Sequence, residues 1–250
     1  MNDYTIESVR RAARVLDALM FEPGQTLQEL SERIGLNKST TFRLLFTLMQ
    51  DDLVAQEADS KRYRLGPMTI SLGQSAIEST SLIDVARPFM ESLYARFHVV
   101  ITLNMPSRDA VFEALRVPQF GRGEFIPAGT PLPYHGCASG QVFLAFSDAS
   151  LFEHVVEKPL DKRASRTPTT QEQLEEAIAR VQAKGWAMVH DTLEEGVTAA
   201  AAPVRGHRGD VVGALGSAAP SGALSESEWL ELAAALAEAA ANASVGLGAR

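Results

Sequence analysis

Apolar positions recur at helical spacing over most of the chain, interrupted by short runs that alternate or are continuously apolar. Ile6, Val9, Ala13, Leu16 and Met20 fall at steps of three or four, which predicts an amphipathic helix with that face inward, stopped by Pro23-Gly24. Thr26-Leu27-Gln28-Glu29 reads as a capping box opening a short second helix, buried through Leu27, Leu30 and Ile34 and closed by Gly35 in the left-handed region. Asn37 caps a third helix whose Phe42, Leu45, Leu48 and Met49 are expected to face inward. Residues 53–56 and 62–65 predict two strands around Ala58-Asp59-Ser60-Lys61. Two helices joined by a tight glycine turn and followed by a hairpin predict a winged helix-turn-helix over residues 1–66.

A weakly amphipathic stretch (Met68, Leu72, Ile77) predicts a linker helix over 67–80. Residues 82–97 predict a longer helix in which Pro88 marks a kink or a start. In the remainder, 81–250, strands are expected at 99–103, 110–115, 186–190, 197–204 and 211–218. Helices are expected at 138–146, 149–157, 171–184 and 225–245. This order predicts an α+β fold with a largely antiparallel sheet.

Composition is that of a globular chain, with 46% hydrophobic and 22% charged residues, which excludes a disordered or low-complexity protein. No uncharged apolar stretch is long enough for a membrane helix. The first residues lack the basic and apolar regions of a secretory leader, so a cytoplasmic location is expected. The single cysteine, Cys137, cannot form an internal disulfide, and the five histidines lack metal-ligand spacing; no metal or cofactor is expected.

A net charge of −8 argues against nucleic acid until its distribution is read. Residues 1–66 carry only −1; within them Lys38 and Arg43 share the third helix, and Lys61, Arg62 and Arg64 cluster on the hairpin. The candidate DNA-facing set is Gln28, Lys38, Ser39, Thr40, Thr41, Arg43, Lys61, Arg62 and Arg64. Hydroxyls near a helix start can bond phosphates or base edges, arginine can grip guanine, and a basic hairpin can lie along the backbone.

Gly35-Leu36-Asn37-Lys38-Ser39-Thr40-Thr41-Phe42-Arg43-Leu44-Leu45, then Leu48 and Tyr63-Arg64-Leu65-Gly66, resembles the DNA-binding domain of the IclR family of bacterial transcriptional regulators. The resemblance continues through Gly129 to Ala145, including Pro133-Tyr134-His135-Gly136-Cys137-Ala138-Ser139-Gly140. It extends again through Gly185-Trp186-Ala187, Asp191, Glu194-Glu195-Gly196-Val197 and Ala201-Ala202-Pro203-Val204. It implies that 81–250 is a GAF-like effector-binding domain and that the protein forms homodimers through its N-terminal modules, or homotetramers. It also implies effector-responsive binding to a (pseudo)palindromic operator, repression of a catabolic operon being expected and activation the alternative.

Ala138-Ser139-Gly140 is a small-residue strand-to-helix junction. Amides at a helix start favour an anion, and small residues let a ligand approach the backbone. On the residues alone the junction reads equally as a tight packing turn; the resemblance implies an effector there, and a carboxylate is the expected one, with Gly129, His135, Cys137, Ala138, Ser139, Gly140, Asp191, Ala199, Gly216 and Ala218 as candidate contacts. Arg108, Arg116 and Arg122 are further candidates for the acid. Ala199 to Ala202 and Ala214-Leu215-Gly216-Ser217-Ala218 carry more methyl groups than hydroxyls, so an aromatic or hydrophobic acid is expected. A Cys137–His135–Asp191 nucleophilic site is the rival reading.

Overall fold

The computed structural model describes residues 5–78, 81–118 and 129–249. The chain divides into two compact units, residues 1–79 and 80–250.

In the first unit, α1 (Glu7–Phe21), α2 (Leu27–Ile34) and α3 (Lys38–Gln50) pack with the two-stranded antiparallel hairpin β1 (Val54–Gln56) and β2 (Tyr63–Leu65), followed by α4 (Pro67–Glu78). The expected caps form. Thr26 Oγ1 accepts from the Glu29 amide at 3.3 Å while the Thr26 amide donates to Glu29 Oε2 at 2.7 Å. Gly35 ends α2 at φ 65°, and Asn37 Oδ1 accepts from the Thr40 amide at 2.8 Å. Gln25 is buried and fixes the hairpin. Its backbone pairs with Tyr63, and its Nε2 donates to the carbonyls of Ala18 and Glu22 at 2.7 Å each. Gly66 has no substitute there, because a Cβ would lie 2.1 Å from the Asp52 carbonyl oxygen.

Two orientations differ from expectation. The buried face of α1 is Val15, Ala18 and Leu19, whereas Ile6 and Val9 are exposed. At about 100° per residue, the Ile6-to-Met20 stripe lies nearly opposite that face. The helix thus has two apolar stripes, and the unit's core takes the other one. In α3 the core takes Thr41, Leu45 and Leu48. The same rotation places Thr41 in line with those leucines and swings Phe42 roughly a quarter turn outward. Phe42 is exposed, and Thr41 is buried with its hydroxyl donating to the Asn37 carbonyl at 3.1 Å.

The second unit is a five-stranded sheet between two helical layers. It comprises α5 (Ser81–Phe97), β3 (Ile101–Pro106), β4 (Val111–Val117), α6 (Ala138–Phe146), α7 (Ala149–Val156), α8 (Gln171–Lys184), β5 (Ala187–His190), β6 (Val197–Arg205), β7 (Val211–Pro220) and α9 (Glu226–Gly246). Strand order is β4-β3-β7-β6-β5, antiparallel throughout. α5 and α9 cover one face through Met90, Leu232 and Leu236; α6 and α8 cover the other through Val142, Phe143 and Leu174. Ala199 to Ala202 in β6 bury almost no side-chain bulk, which lets both helical layers approach the sheet centre. Pro88 lies inside α5 on its exposed side, where water can satisfy the carbonyl it leaves unbonded. No helix among the described residues is long and apolar enough to cross a membrane.

Candidate functional site

The outward side of α3 carries Lys38, Ser39, Phe42, Arg43, Phe46 and Thr47, all exposed. α3 contains no acidic residue. Lys38 Nζ donates to Gln28 Oε1 at 3.2 Å, so these two candidates from adjacent helices meet. Thr40 is half-buried, and Thr41 belongs to the core. On the hairpin, Lys61 occupies the turn at φ 56° and Arg64 points outward from β2. Arg62 is engaged within the unit, donating to the Gly24 carbonyl and pairing with Glu29 at 3.2 Å. The capping-box carboxylate is held below its usual pKa, first by the Thr26 amide and hydroxyl and then by Arg62.

The second unit encloses a cavity of about 100 Å³ between the start of α6 and the sheet. Four polar side chains share its sheet wall, Thr102 and Asn104 by strand alternation and Glu113 and Arg116 through a β-bulge. Thr102 pairs with Arg116 and Asn104 pairs with Glu113, with Ala114 as the extra residue. In a regular strand, positions 113 and 116 face opposite sides; one added residue reverses the alternation and brings both to the cavity. There Arg116 Nε and Nη2 donate to the two Glu113 oxygens at 2.8 and 3.0 Å, with both side chains mostly buried. Asn104 Nδ2 donates to Thr102 Oγ1 and to Ser139 Oγ, each at 2.9 Å. The buried Ser217 hydroxyl, also in the wall, has no hydrogen-bond partner among the described residues. The remaining wall is largely apolar, including Val100, Leu132, Val189, Leu193 and Val197.

α6 enters the cavity with its first turn. Cys137 is its N-cap, with Sγ accepting from the Gly140 amide at 3.3 Å. The amides of Ala138 and Ser139 precede any intrahelical acceptor and give this end a partial positive charge. Thr192 braces the entry by donating to the Gly136 carbonyl at 2.8 Å. Gly140 supports the turn from behind, since a Cβ there would lie 2.2 Å from the Tyr134 carbonyl oxygen.

Of the expected effector contacts, Cys137, Ala138, Ser139, Ala199, Gly216 and Ala218 line the cavity, as does Arg116. Gly129, His135, Gly140 and Asp191 do not. His135 Nε2 turns to the Asp161 carbonyl at 3.0 Å, and Asp191 stands at φ 53° accepting from the Gly196 amide at 2.7 Å. Arg108 is exposed away from the wall, and Arg122 lies outside the described residues. Thr102, Asn104, Glu113, Thr192 and Ser217 are wall residues that sequence reasoning missed. Alternation alone links Thr102 to Asn104; nothing local reveals the bulge. The nucleophile reading fails physically. Burial pushes the Cys137 thiol up to about 12, and its two proposed partners are committed elsewhere.

Comparison with known proteins completes the picture. The family model described as bacterial transcriptional regulator IclR, C-terminal, matches residues 74–245, and the IclR helix-turn-helix domain matches 8–58. The HTH-type transcriptional regulator KdgR of Escherichia coli is 29% identical over 98% of this chain and 94% of its own length. An IclR transcriptional regulator from Alicyclobacillus acidocaldarius superposes with a TM-score of 0.86 at 30% identity, covering 98% of this chain and 100% of that one. An IclR homologue from Microbacterium hydrocarbonoxydans, solved in complex with 4-hydroxybenzoate, gives a TM-score of 0.79 at 25% identity, covering 96% and 98%.

Proposed function

We propose, for a chain that belongs to the IclR family of bacterial transcriptional regulators, that it represses a catabolic operon and is released from its operator by an aromatic or hydrophobic carboxylate held against α6. The family consists of DNA-binding regulators rather than enzymes, so duplex DNA is a partner and the second unit is its ligand-sensing part. The observation that carries the effector class is the cavity itself: methyl-rich walls, with a helix N-terminus, Ser139 and Arg116 at its polar positions. At about 30 Å³ per liquid water, a volume of about 100 Å³ holds roughly three waters, and its largely apolar lining suits a hydrophobic acid better than a two-carbon one. Because Arg116 already holds Glu113, the ligand's carboxylate would rely chiefly on the α6 amides and Ser139, leaving Glu113 to accept from a hydroxyl. A relative's complex with 4-hydroxybenzoate, which carries both groups, supports this reading.

Two copies paired through the first unit would present two α3 helices to half-sites about 34 Å apart. The exposed Ile6–Val9 stripe of α1 is an apolar surface suited to such pairing. A ligand that binds one geometry of the pair better than the other shifts the population between them, and operator affinity follows. The test is a mobility shift on the DNA flanking this protein's own gene, with 4-hydroxybenzoate, benzoate, pyruvate or glyoxylate added, alongside thermal melting. The aromatic acids should raise the melting temperature and release the DNA. Binding of pyruvate and glyoxylate alone would overturn the effector class.

A further inference from the structure

The outward face of α3 carries two phenylalanines that the described residues of the unit leave half exposed. Phe42 and Phe46 are 48% and 51% exposed, one turn apart, with ring centroids 6.3 Å from each other. The unit does not lack a core for them. Val15, Leu19, Leu30, Ile34, Leu45, Leu48, Val54 and Tyr63 already form one. Two large apolar side chains facing water forgo substantial burial, and they do so between Ser39, Arg43 and Thr47 on the face that must meet DNA.

The chemistry of the major groove limits what such a face can contact. Base edges there present donors, acceptors and one apolar group, the C5-methyl of thymine. The charge of α3 favours a polyanion over an isologous contact with the same α3 face of a second copy, where like charges would meet. Its only charged residues are Lys38 and Arg43, within a protein of net charge −8. One helical turn rises about 5.4 Å, so side chains four apart reach methyls one or two base steps apart at about 3.4 Å per step. We propose that Phe42 and Phe46 read thymine C5-methyl groups at neighbouring steps of each half-site, beside the base contacted by Arg43. This inference rests on the docking of α3 into the operator, and the experiment separates the two.

Duplexes recovered from a randomised library with the full chain are synthesised with thymine and, identically otherwise, with deoxyuridine, which removes only the methyl groups. Fluorescence anisotropy is measured for the natural chain, Phe42→Ala and Phe46→Ala, and sedimentation gives the mass of each. The natural chain should bind the deoxyuridine duplex about fourfold more weakly for each methyl read. Each variant should be weakened on the thymine duplex and lose less than the natural chain on going to deoxyuridine, while keeping its mass. Equal affinity of the natural chain for both duplexes overturns the inference but leaves operator docking intact. That comparison needs no variant to fold. A variant that changes mass, with no methyl effect in the natural chain, assigns the face to self-association and also overturns it. Failure to recover any bound duplex overturns both readings.

Discussion

A Cβ added to Gly216 would meet the Ala200 carbonyl oxygen at 3.2 Å and both Asn104 Nδ2 and Ser139 Oγ at 3.3 Å. Gly216→Ala is therefore expected to displace the Asn104–Ser139 pair and lower effector affinity about tenfold, or 1.4 kcal/mol. Operator affinity without effector should stay unchanged; calorimetric titration and mobility shift check the two halves. Cys137 supports a second expectation. Folding holds its thiol protonated, with burial raising it from 9.0 to about 12. That contribution to stability is present below the unfolded value of 9.0 and lost as pH rises through the window toward 12. At pH 8 iodoacetamide should leave the folded protein unlabelled and modify it only in denaturant, as mass spectrometry would show. Sequence placed Cys137 and Ser139 at the junction because small residues before an apolar helix are a local signal. It misplaced His135 and Asp191 because nearness along the chain does not fix where a side chain points.

Helices were legible because their caps are local. Thr26, Gly35 and Asn37 act within four residues, and their hydrogen bonds form as the spacing implies. Asn37→Ala should cost about 1 kcal/mol in urea denaturation and weaken operator binding through fraying at the start of α3. The inward faces of α1 and α3 were less legible, because an apolar stripe states that a face will be covered but not by what. A tertiary link joins the β3–β4 turn to α7 and the residues just after it. The Asp109 carboxylate is held at about 2, first by Lys158 and then by His154, whose Nε2 lies 2.7 Å away. A depressed carboxylate stabilises above its ordinary 3.8 and loses that effect as pH falls toward about 2. Asp109→Asn should therefore lower stability at neutral pH, where the natural carboxylate is ionised and paired, and flatten the acid limb of the stability profile followed by circular dichroism, with little change near pH 2.

Across the molecule, an acidic chain must bind a polyanion through a small basic surface, so its affinity should fall steeply with salt. Lys61→Ala should weaken binding evenly across sequences and reduce the slope of log K against log salt by about 1. Arg43→Ala should instead relax discrimination at one base pair and leave effector affinity unchanged. Anisotropy titrations between low and moderate salt distinguish them.

The order of elements, the winged helix-turn-helix and the small-residue junction at α6 were determined by the sequence alone, because caps, turns and periodicities act over a few residues. The composition of the cavity wall was decided by tertiary structure. A single extra residue at Ala114 reverses strand alternation and turns Glu113 and Arg116 to the same side. Pairing with β3 also sets them against Thr102 and Asn104. Register is a relation between strands distant along the chain, and no local pattern encodes it. For the same reason, only the packed unit shows that Phe42 faces outward while Thr41 is buried.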